Sequence, residues 1–221
     1  MISYDYKKNI WFWKKEGIKI IGIGGGGSNV INELFKSGCK YHLISITTEY
    51  KTFPLSDTKI VLGLKTNKGL KSNCNLEIAK KCFNEDIDEV ENTIFADHII
   101  LVAGLSHGTG TACVPLIAKL IKKINDDRSA KIKVYVVVTT PFNFEMIFKD
   151  PNVVVKSVKE LQKLERNNII DKLVVIDAES VNNKKKSDSS LTSLFDKLNK
   201  REIEEILKII NSIEEELENK K

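Results

Sequence analysis

A run of glycines follows the first strongly apolar segment of the sequence. The segment IKIIGIGGGGSNVINEL, residues 18–34, carries five glycines within the six positions Gly22 to Gly27. Glycine admits positive φ and lets backbone amides approach a bound group, and phosphates bind well where a helix then begins. The spacing satisfies GxGxxG, which is compatible with a dinucleotide. Glu49 stands about 20 residues further on, where such a protein places its ribose-binding acid.

A second segment of the same character follows a later apolar run. AGLSHGTGTA, residues 103–112, comes directly after the run HIILV and before a helical pattern. Its small residues and threonine hydroxyls suit an anion nest at a helix N-terminus. Two such segments at the carboxyl ends of parallel strands can surround one polyphosphate, whereas a dinucleotide needs only one. The pair therefore favours a polyphosphate site.

Other patterns that carry chemistry are absent from the sequence. It contains no GxxxxGK[ST] and no HExxH, and no arrangement of Ser, His and Asp identifies a catalytic residue. The three histidines are far apart and the four cysteines show no CxxC spacing, so we expect no metal site built from protein ligands. The cysteines are predicted to be reduced cytosolic thiols; they are Cys39, Cys74, Cys82 and Cys113.

The composition is that of a globular protein. Of 221 residues, 42% are hydrophobic and 29% are charged, and the net charge is +5. The positive residues are nearly all lysines scattered among acids, and because base and phosphate recognition favours arginine, we expect no nucleic-acid partner. No apolar run approaches the ~20 residues that span a bilayer. The sequence predicts a cytoplasmic protein.

Apolar strands alternate with helical patterns along most of the chain. Strands are expected at 18–23, 41–48, 58–63, 98–105, 131–140 and 172–178, and helices at 28–38, 76–95, 111–126 and 153–168. This alternation predicts an α/β fold of three layers, Rossmann-like, with a mostly parallel sheet and helices on both faces.

Changes in composition suggest four regions. Residues 1–17 are an aromatic and basic arm, which either packs on the domain or provides the only expected contact with a membrane surface. Residues 18–181 form the α/β domain, residues 182–190 a polar linker and residues 191–221 a long helix. That helix has a stripe of apolar residues that is expected to cover the sheet rather than form a coiled coil: Ile203, Ile206, Ile210, Ile213 and Leu217.

Four motifs in the same order resemble the tubulin/FtsZ family. GTGTA at 108–112 resembles the signature GGGTGTG, with Ser106 and His107 at glycine positions. Residues 18–34 are similar to the first nucleotide segment of FtsZ, and VVTTPFNFE at 137–145 is similar to its VVTKPFNFEG. The stretch NKGLKSNCNLEIAKKCFNED resembles TKGLGAGANPE. The resemblance covers roughly residues 18–181.

The resemblance implies a domain that binds GTP or GDP, with Mg²⁺ expected at the phosphates. The first glycine segment would contact the α- and β-phosphates, and the second the β- and γ-phosphates. Glu145 would bind the ribose with Lys149 near it, and Glu202 aligns with the asparagine that reads the base. The candidate binding residues are Gly24, Gly25, Gly26, Gly27, Asn29, Ser72, Asn73, Gly104, Ser106, His107, Gly108, Thr109, Gly110, Thr111, Pro141, Glu145, Lys149 and Glu202.

Departures from the family pattern bear on hydrolysis. Thr47, Thr48 and Glu49 stand where the family has Asn-Thr-Asp, and residues 71–74 have lost most of the glycines of TKGLGAGANPE. Members of the family complete hydrolysis with an acidic loop after the long helix, presented to the next subunit, and this sequence ends within or just after that helix. We therefore expect GTP binding with weak or partner-dependent hydrolysis, self-association or an FtsZ-like partner, and a role in cell division, the cytoskeleton or membrane remodelling.

Two alternatives stay open at this stage. A degenerate relative that binds no nucleotide would explain Lys71, Ser106 and His107 at positions where the family has glycines. An NAD-dependent oxidoreductase would explain GxGxxG and Glu49, but it leaves GTGTA and PFNFE without a function.

Overall fold

A computed structural model describes most of the chain. It covers residues 2–5, 10–13, 15–50, 55–105, 107–146, 150–181 and 190–219, with side chains from residue 17 onward. Within these ranges no helix is long and apolar enough to cross a membrane.

Six parallel strands form the central sheet. The first two strands of the chain, β1 (Ile2–Asp5) and β2 (Ile10–Trp13), pair with each other as a separate antiparallel sheet. The central strands are β3 (Lys15–Ile23), β4 (Tyr41–Thr47), β5 (Thr58–Val61), β6 (His98–Gly104), β7 (Lys133–Thr139) and β8 (Lys172–Ile176). Their order across the sheet is β5-β4-β3-β6-β7-β8. The expected mostly parallel sheet is confirmed.

Eight α-helices accompany the strands in the described chain. They are α1 (Gly24–Lys36), α2 (Leu64–Asn67), α3 (Leu76–Glu85), α4 (Ile87–Thr93), α5 (Gly108–Arg128), α6 (Asn143–Met146), α7 (Pro151–Arg166) and α8 (Leu191–Glu218), with a 3₁₀ turn at Ala178–Val181. Successive strand residues face opposite sides, so Ile21 and Ile23 pack with α3, α4, α5 and α7, whereas Ile18 and Ile20 pack with α1 and α8. The three-layer arrangement follows from these two cores.

Both helices that follow a glycine segment begin earlier than the sequence predicts. Helix α1 begins at Gly24 rather than near residue 28, and α5 begins at Gly108 rather than near residue 111. The glycines are thus the first turns of helices and not loops before them. Low helix propensity argued against this assignment, but close packing on the strands outweighs a cost of about 1 kcal/mol per glycine.

The long helix α8 lies on the sheet. It contacts α1, β7 and the 3₁₀ turn, and Ile206, Ile210 and Ile213 are almost fully buried. Leu217 is 45% exposed, so the apolar stripe stops before the end of the helix. The expectation that this helix covers the sheet is confirmed for the greater part of its length.

The proposed regions at either end of the α/β domain are described only in part. Strand β3 already begins at Lys15, so the sheet reaches into the predicted arm. The side chains of residues 1–16, including Trp11 and Trp13, and residues 182–189 of the predicted linker lie outside the described residues. Ser190 caps α8, since its side chain accepts a hydrogen bond from the amide of Ser193 at 3.2 Å.

The backbone of α1 packs directly against the backbones of β3 and β6. A Cβ on Gly27 would lie 2.3 Å from the carbonyl oxygen of Val102 in β6, and one on Gly22 would lie 2.3 Å from the carbonyl oxygen of Gly27. Because backbone atoms cannot move aside, we expect Gly27→Ala to lower the free energy of unfolding by about 1–3 kcal/mol in urea titrations.

The matched control is Gly25→Ala in the same helical turn. A Cβ there has no atom within 4 Å among the described residues, so stability should stay unchanged or rise by up to about 1 kcal/mol. Equal unfolding midpoints for Gly27→Ala and the wild type would contradict this account of the packing.

Candidate functional site

The two glycine segments meet at the carboxyl ends of β3 and β6. The chain crosses from β5 back to β6 on the other side of β3, so β3 and β6 mark the point where the strand order reverses. Ligands of open α/β sheets bind in the crevice at such a point. A Cβ on Gly24 would lie 3.1 Å from the amide nitrogen of Gly110, and one on Gly26 would lie 3.2 Å from that of Gly104. The segments therefore approach each other backbone to backbone.

Helices α1 and α5 both begin at this crevice without a side-chain cap. The residues that precede them, Ile23 and His107, make no capping hydrogen bond within the described chain, and neither helix has an acid in its first turn. Three other helices of at least ten residues are capped by Asn75, Asp150 and Ser190. The first amides of α1 and α5 thus remain available to an anion, which the helix dipoles also favour.

A cleft of about 470 Å³ opens above these helix starts. Eleven of the candidate residues line it: Gly25, Gly26, Asn29, Ser72, Asn73, Gly104, His107, Gly108, Thr109, Glu145 and Glu202. They come from five separate parts of the chain, and the sheet topology brings them together. The volume is in the range of pockets that hold small molecules and cofactors.

The other candidates lie elsewhere or are not described. Gly27 and Gly110 are buried behind the cleft, where a Cβ would lie 2.3 Å from the Val102 carbonyl and 2.7 Å from the Gly104 carbonyl. Gly24 has a φ of +70°, which favours glycine at the first position of α1. Thr111 and Pro141 are buried and do not border the cleft. Ser106 and Lys149 lie outside the described residues.

Three hydroxyl groups form a cluster in the cleft wall. The Thr109 Oγ1 atom lies 3.1 Å from both Thr48 Oγ1 and Ser72 Oγ. A Cβ on Gly108 would lie 2.5 Å from Ser72 Oγ and 3.1 Å from the amide nitrogen of Asn75, so a larger residue would displace the Ser72 hydroxyl. The cluster connects three parts of the chain. Thr48 follows β4, Ser72 lies in the stretch before α3, and Thr109 lies at the start of α5. Each hydroxyl can donate or accept, so the cluster can turn its donors toward an anion.

Charged residues at the mouth of the cleft pair with each other. Lys71 Nζ lies 3.7 Å from Glu49 Oε2, with the lysine side chain 69% exposed. Glu145 Oε2 accepts a hydrogen bond from the amide of Phe142 at 3.0 Å, which holds this carboxylate at the start of α6. Glu49 thus borders the cleft, as an NAD-binding acid would, but it faces a lysine.

Helix α8 contributes a face that sequence reasoning identified only in part. Phe195, Leu198, Asn199 and Glu202 all line the cleft, and their spacing of 3, 1 and 3 residues places them on one helical face. The Phe195 ring meets that of Phe142 edge to face, with centroids 5.4 Å apart. Asn199 was missed, although its helical spacing from Glu202 could have suggested it.

Glu202 carries a buried carboxyl with an oxygen atom that has no hydrogen-bond partner among the described residues. It is 3% exposed, and its Oε1 atom makes no hydrogen bond with any described residue. Burial raises the pKa of the Glu202 carboxyl well above its ordinary value of 4.5. An acid in such a place disfavours the folded state whenever it must ionise, so its presence calls for a role other than stability.

Replacing Glu202 should therefore stabilise the protein in a pH-dependent way. The folded state holds the Glu202 proton more tightly than the unfolded state, so the wild type loses stability as pH rises above about 4.5 until the folded-state pKa is passed. We expect Glu202→Leu to raise the unfolding free energy by about 1–3 kcal/mol at neutral pH, and by much less near pH 4, in denaturant titrations.

Glu204→Leu is the matched control. Glu204 lies on the same helix, is 59% exposed and pairs with Arg201, so the change should stay within about 0.5 kcal/mol at every pH. A Glu202→Leu variant that is less stable than the wild type at neutral pH would mean that the carboxyl has a stabilising partner.

The fold and the cleft define a three-layer α/β protein with a ligand site at the reversal of strand order. Residues 17–186 match the GTPase domain of the Tubulin/FtsZ family. The chain is 33% identical to the cell division protein FtsZ of Aquifex aeolicus (strain VF5) over 179 residues, which are 79% of this chain and 45% of that protein. The chain belongs to the tubulin/FtsZ family.

Solved structures of the family have the same fold. An FtsZ dimer from M. jannaschii is 28% identical with a TM-score of 0.71, covering 86% of this chain and 53% of that one. CetZ2 from Haloferax volcanii, solved as a GTPγS-bound protofilament, is 19% identical with a TM-score of 0.62, covering 82% and 54%. The chain thus spans about half the length of these relatives. The match assigns the first glycine segment to a GTPase domain rather than to a dinucleotide oxidoreductase.

Proposed function

We propose that the chain binds GTP and GDP in the cleft between α1, α5 and α8. The observation that carries the proposal is the pair of uncapped helix starts that meet in one cleft, while α3, α7 and α8 have side-chain caps. Two helix N-termini offer several amides and two favourable dipole ends to one polyphosphate. Family membership makes guanine nucleotides the expected ligands.

The lining residues suggest how the nucleotide would lie. Gly25, Gly26 and Asn29 would hold the α- and β-phosphates, and Gly108 with Thr109 the β- and γ-phosphates. At the other wall, the Phe195 ring offers a flat surface for the base, a contact typically worth about 1–3 kcal/mol. Glu145 borders the cleft between these ends and would accept from the ribose hydroxyls.

The residues present also fit a magnesium ion bound with the phosphates. Mg²⁺ prefers oxygen ligands and usually combines substrate phosphates and waters with one or two protein groups. The cleft offers the Thr48 and Thr109 hydroxyls and the Glu49 carboxylate. When bound, the ion would offset the charge of the triphosphate. Thr109, Gly108 and the amides of α5 would orient the terminal phosphate, and the buried wall behind them would keep water from that side.

We further propose that the chain associates with copies of itself or with an FtsZ-like partner, in cell division or a related cytoskeletal process. Support comes from relatives described as a cell division protein, a dimer and a protofilament. Hydrolysis by the 221-residue chain is part of the proposal and should be weak or depend on a partner, because the resemblance implies that an acidic loop presented from one subunit to the next completes it. Cys39, Cys74, Cys82 and Cys113 form no disulfide bond in the described chain, which fits a cytoplasmic location.

Nucleotide titration tests the central proposal. Nucleotide copurifying with the chain should be identified, and the nucleotide-free chain should then be titrated with GTP, ATP and NAD in the presence of Mg²⁺. We expect GTP to bind most tightly and NAD not at all. Absence of binding by any of the three would favour a degenerate interaction protein instead, and light scattering with and without GTP would report on assembly.

Gly25→Leu tests the placement of the phosphates. A Cβ on Gly25 would meet no described atom within 4 Å, so the fold should tolerate a side chain there, and that side chain would enter the cleft. We expect the affinity for GTP to fall at least about tenfold, equivalent to 1.4 kcal/mol, in calorimetric titrations. Glu33→Leu, an exposed position on the same helix outside the cleft, should leave the affinity unchanged. Equal effects of the two changes would place the phosphates elsewhere.

A further inference from the structure

The Glu202 carboxyl is a polar group that the packing of the chain does not explain. It is 3% exposed, borders the cleft, and its Oε1 atom has no hydrogen-bond partner among the described residues. Natural proteins rarely leave a buried carboxyl unsatisfied, because the group loses its hydration and gains nothing in return. A group of this kind on the wall of a ligand cleft points to a partner on the ligand.

The position of Glu202 on α8 places its carboxyl at the base end of the proposed nucleotide. Glu202 follows Phe195 by seven residues and Asn199 by three, so the three side chains lie along one face of α8. Phe195 is 36% exposed at the rim, Asn199 is half-buried and Glu202 is the deepest of the three. A purine that stacks against the ring would direct its edge toward the amide and the carboxyl.

We propose that Glu202 selects between purines by its protonation state, and that the binding of guanine releases its proton. The ionised carboxylate accepts two hydrogen bonds, which matches the N1–H and N2–H₂ donors of guanine. The neutral carboxyl has one donor and one acceptor, which matches the N1 acceptor and N6–H₂ donor of adenine. The proposal rests on nucleotide binding in this cleft.

Charged groups on the elements packed against α8 are engaged with other partners. On α1, Glu33 pairs with Lys36 at 2.7 Å. On β7, Lys133 pairs with Glu216 at 3.1 Å, and Glu216 lies about 21 Å along α8 from Glu202 at 1.5 Å per residue.

The hydroxyl oxygen of Tyr135 in β7 lies 3.3 Å from the Nδ1 atom of His98. Tyr41 of β4 donates to Glu214 at 2.5 Å, about 18 Å along α8 from Glu202. These groups therefore interact with one another at the far end of the helix and not with the cleft.

The nearer charged groups are also accounted for. In the 3₁₀ turn, Glu179 accepts from the amide of Asn143 at 2.8 Å. On α8 itself, Arg201 pairs with Glu204 at 3.1 Å and with Glu205 at 2.8 Å.

Across the cleft, the titratable groups are Glu145, His107, Cys74 and the Glu49–Lys71 pair. Burial is the cause that raises the pKa of Glu202. A ligand that donates hydrogen bonds to the carboxylate would favour its ionisation.

The test compares GTP and ATP affinities of the 221-residue chain across pH with Mg²⁺ present. Phosphate titration is common to both nucleotides and cancels in the ratio of their affinities. Guanine binding should require loss of one proton from Glu202, and adenine binding its retention. The ratio of GTP to ATP affinity should therefore rise with pH, by up to about tenfold per pH unit.

Two variants isolate the carboxyl. Glu202→Gln has the same shape and cannot ionise, so its affinity ratio should be independent of pH. Glu204→Gln makes the same change at an exposed position of α8 and should keep the wild-type slope. Calorimetry in buffers of different ionisation enthalpy should show about one more proton released per GTP by the wild type than by Glu202→Gln.

The outcomes separate this proposal from the one on which it rests. A pH-independent ratio in the wild type, or an unchanged slope in Glu202→Gln, would overturn proton-linked selection while GTP binding stands. If neither nucleotide binds at any pH, both proposals fall. Should Glu202→Gln fail to fold by circular dichroism, the wild-type slope and the wild-type difference in proton release between GTP and ATP decide the matter by themselves.

Discussion

The contact between two glycine segments is the constraint on which the rest of the cleft depends. The backbone of α1 rests against β3 and β6 at distances that leave no room for a Cβ at Gly22 or Gly27, and Gly110 is packed equally closely on Gly104. This contact brings two helix N-termini to the point where the strand order reverses. Larger residues would separate the helices from the strands, and the amides of α1 and α5 would no longer converge.

The two ends of the cleft differ in the groups that they offer to a ligand. At one end, uncapped amides and the positive ends of two helix dipoles favour negative charge. At the other end, an aromatic ring, an amide and a buried carboxyl form the wall supplied by α8. A nucleotide has the same asymmetry, with an anionic tail and a flat base whose edge carries hydrogen-bond donors and acceptors. This correspondence supports the proposed placement of the nucleotide.

Helix α8 connects the cleft to the core on one face of the sheet. Ile206, Ile209 and Ile210 are packed with α1 and with the residues of β7 that face the same side, so the rotation of α8 about its axis is set by burial of these side chains. That rotation turns Asn199 and Glu202 toward the cleft. A carboxyl that costs stability is held in place by neighbouring isoleucines, which is the usual relation between a strained site and the packing that supports it.

The sequence by itself determined the six strands of the central sheet, the layered fold and the two glycine segments. Runs such as HIILV and the glycine clusters carry these signals locally, and hydrophobic periodicity depends only on near neighbours. Only the tertiary structure decided which glycines face the cleft and which are packed behind it, since Gly25 and Gly27 look alike in sequence but differ in what lies above their Cα atoms. It also added Asn199 to the cleft and left the Oε1 atom of Glu202 without a hydrogen-bond partner among the described residues, because the direction in which a helix faces depends on what packs against it.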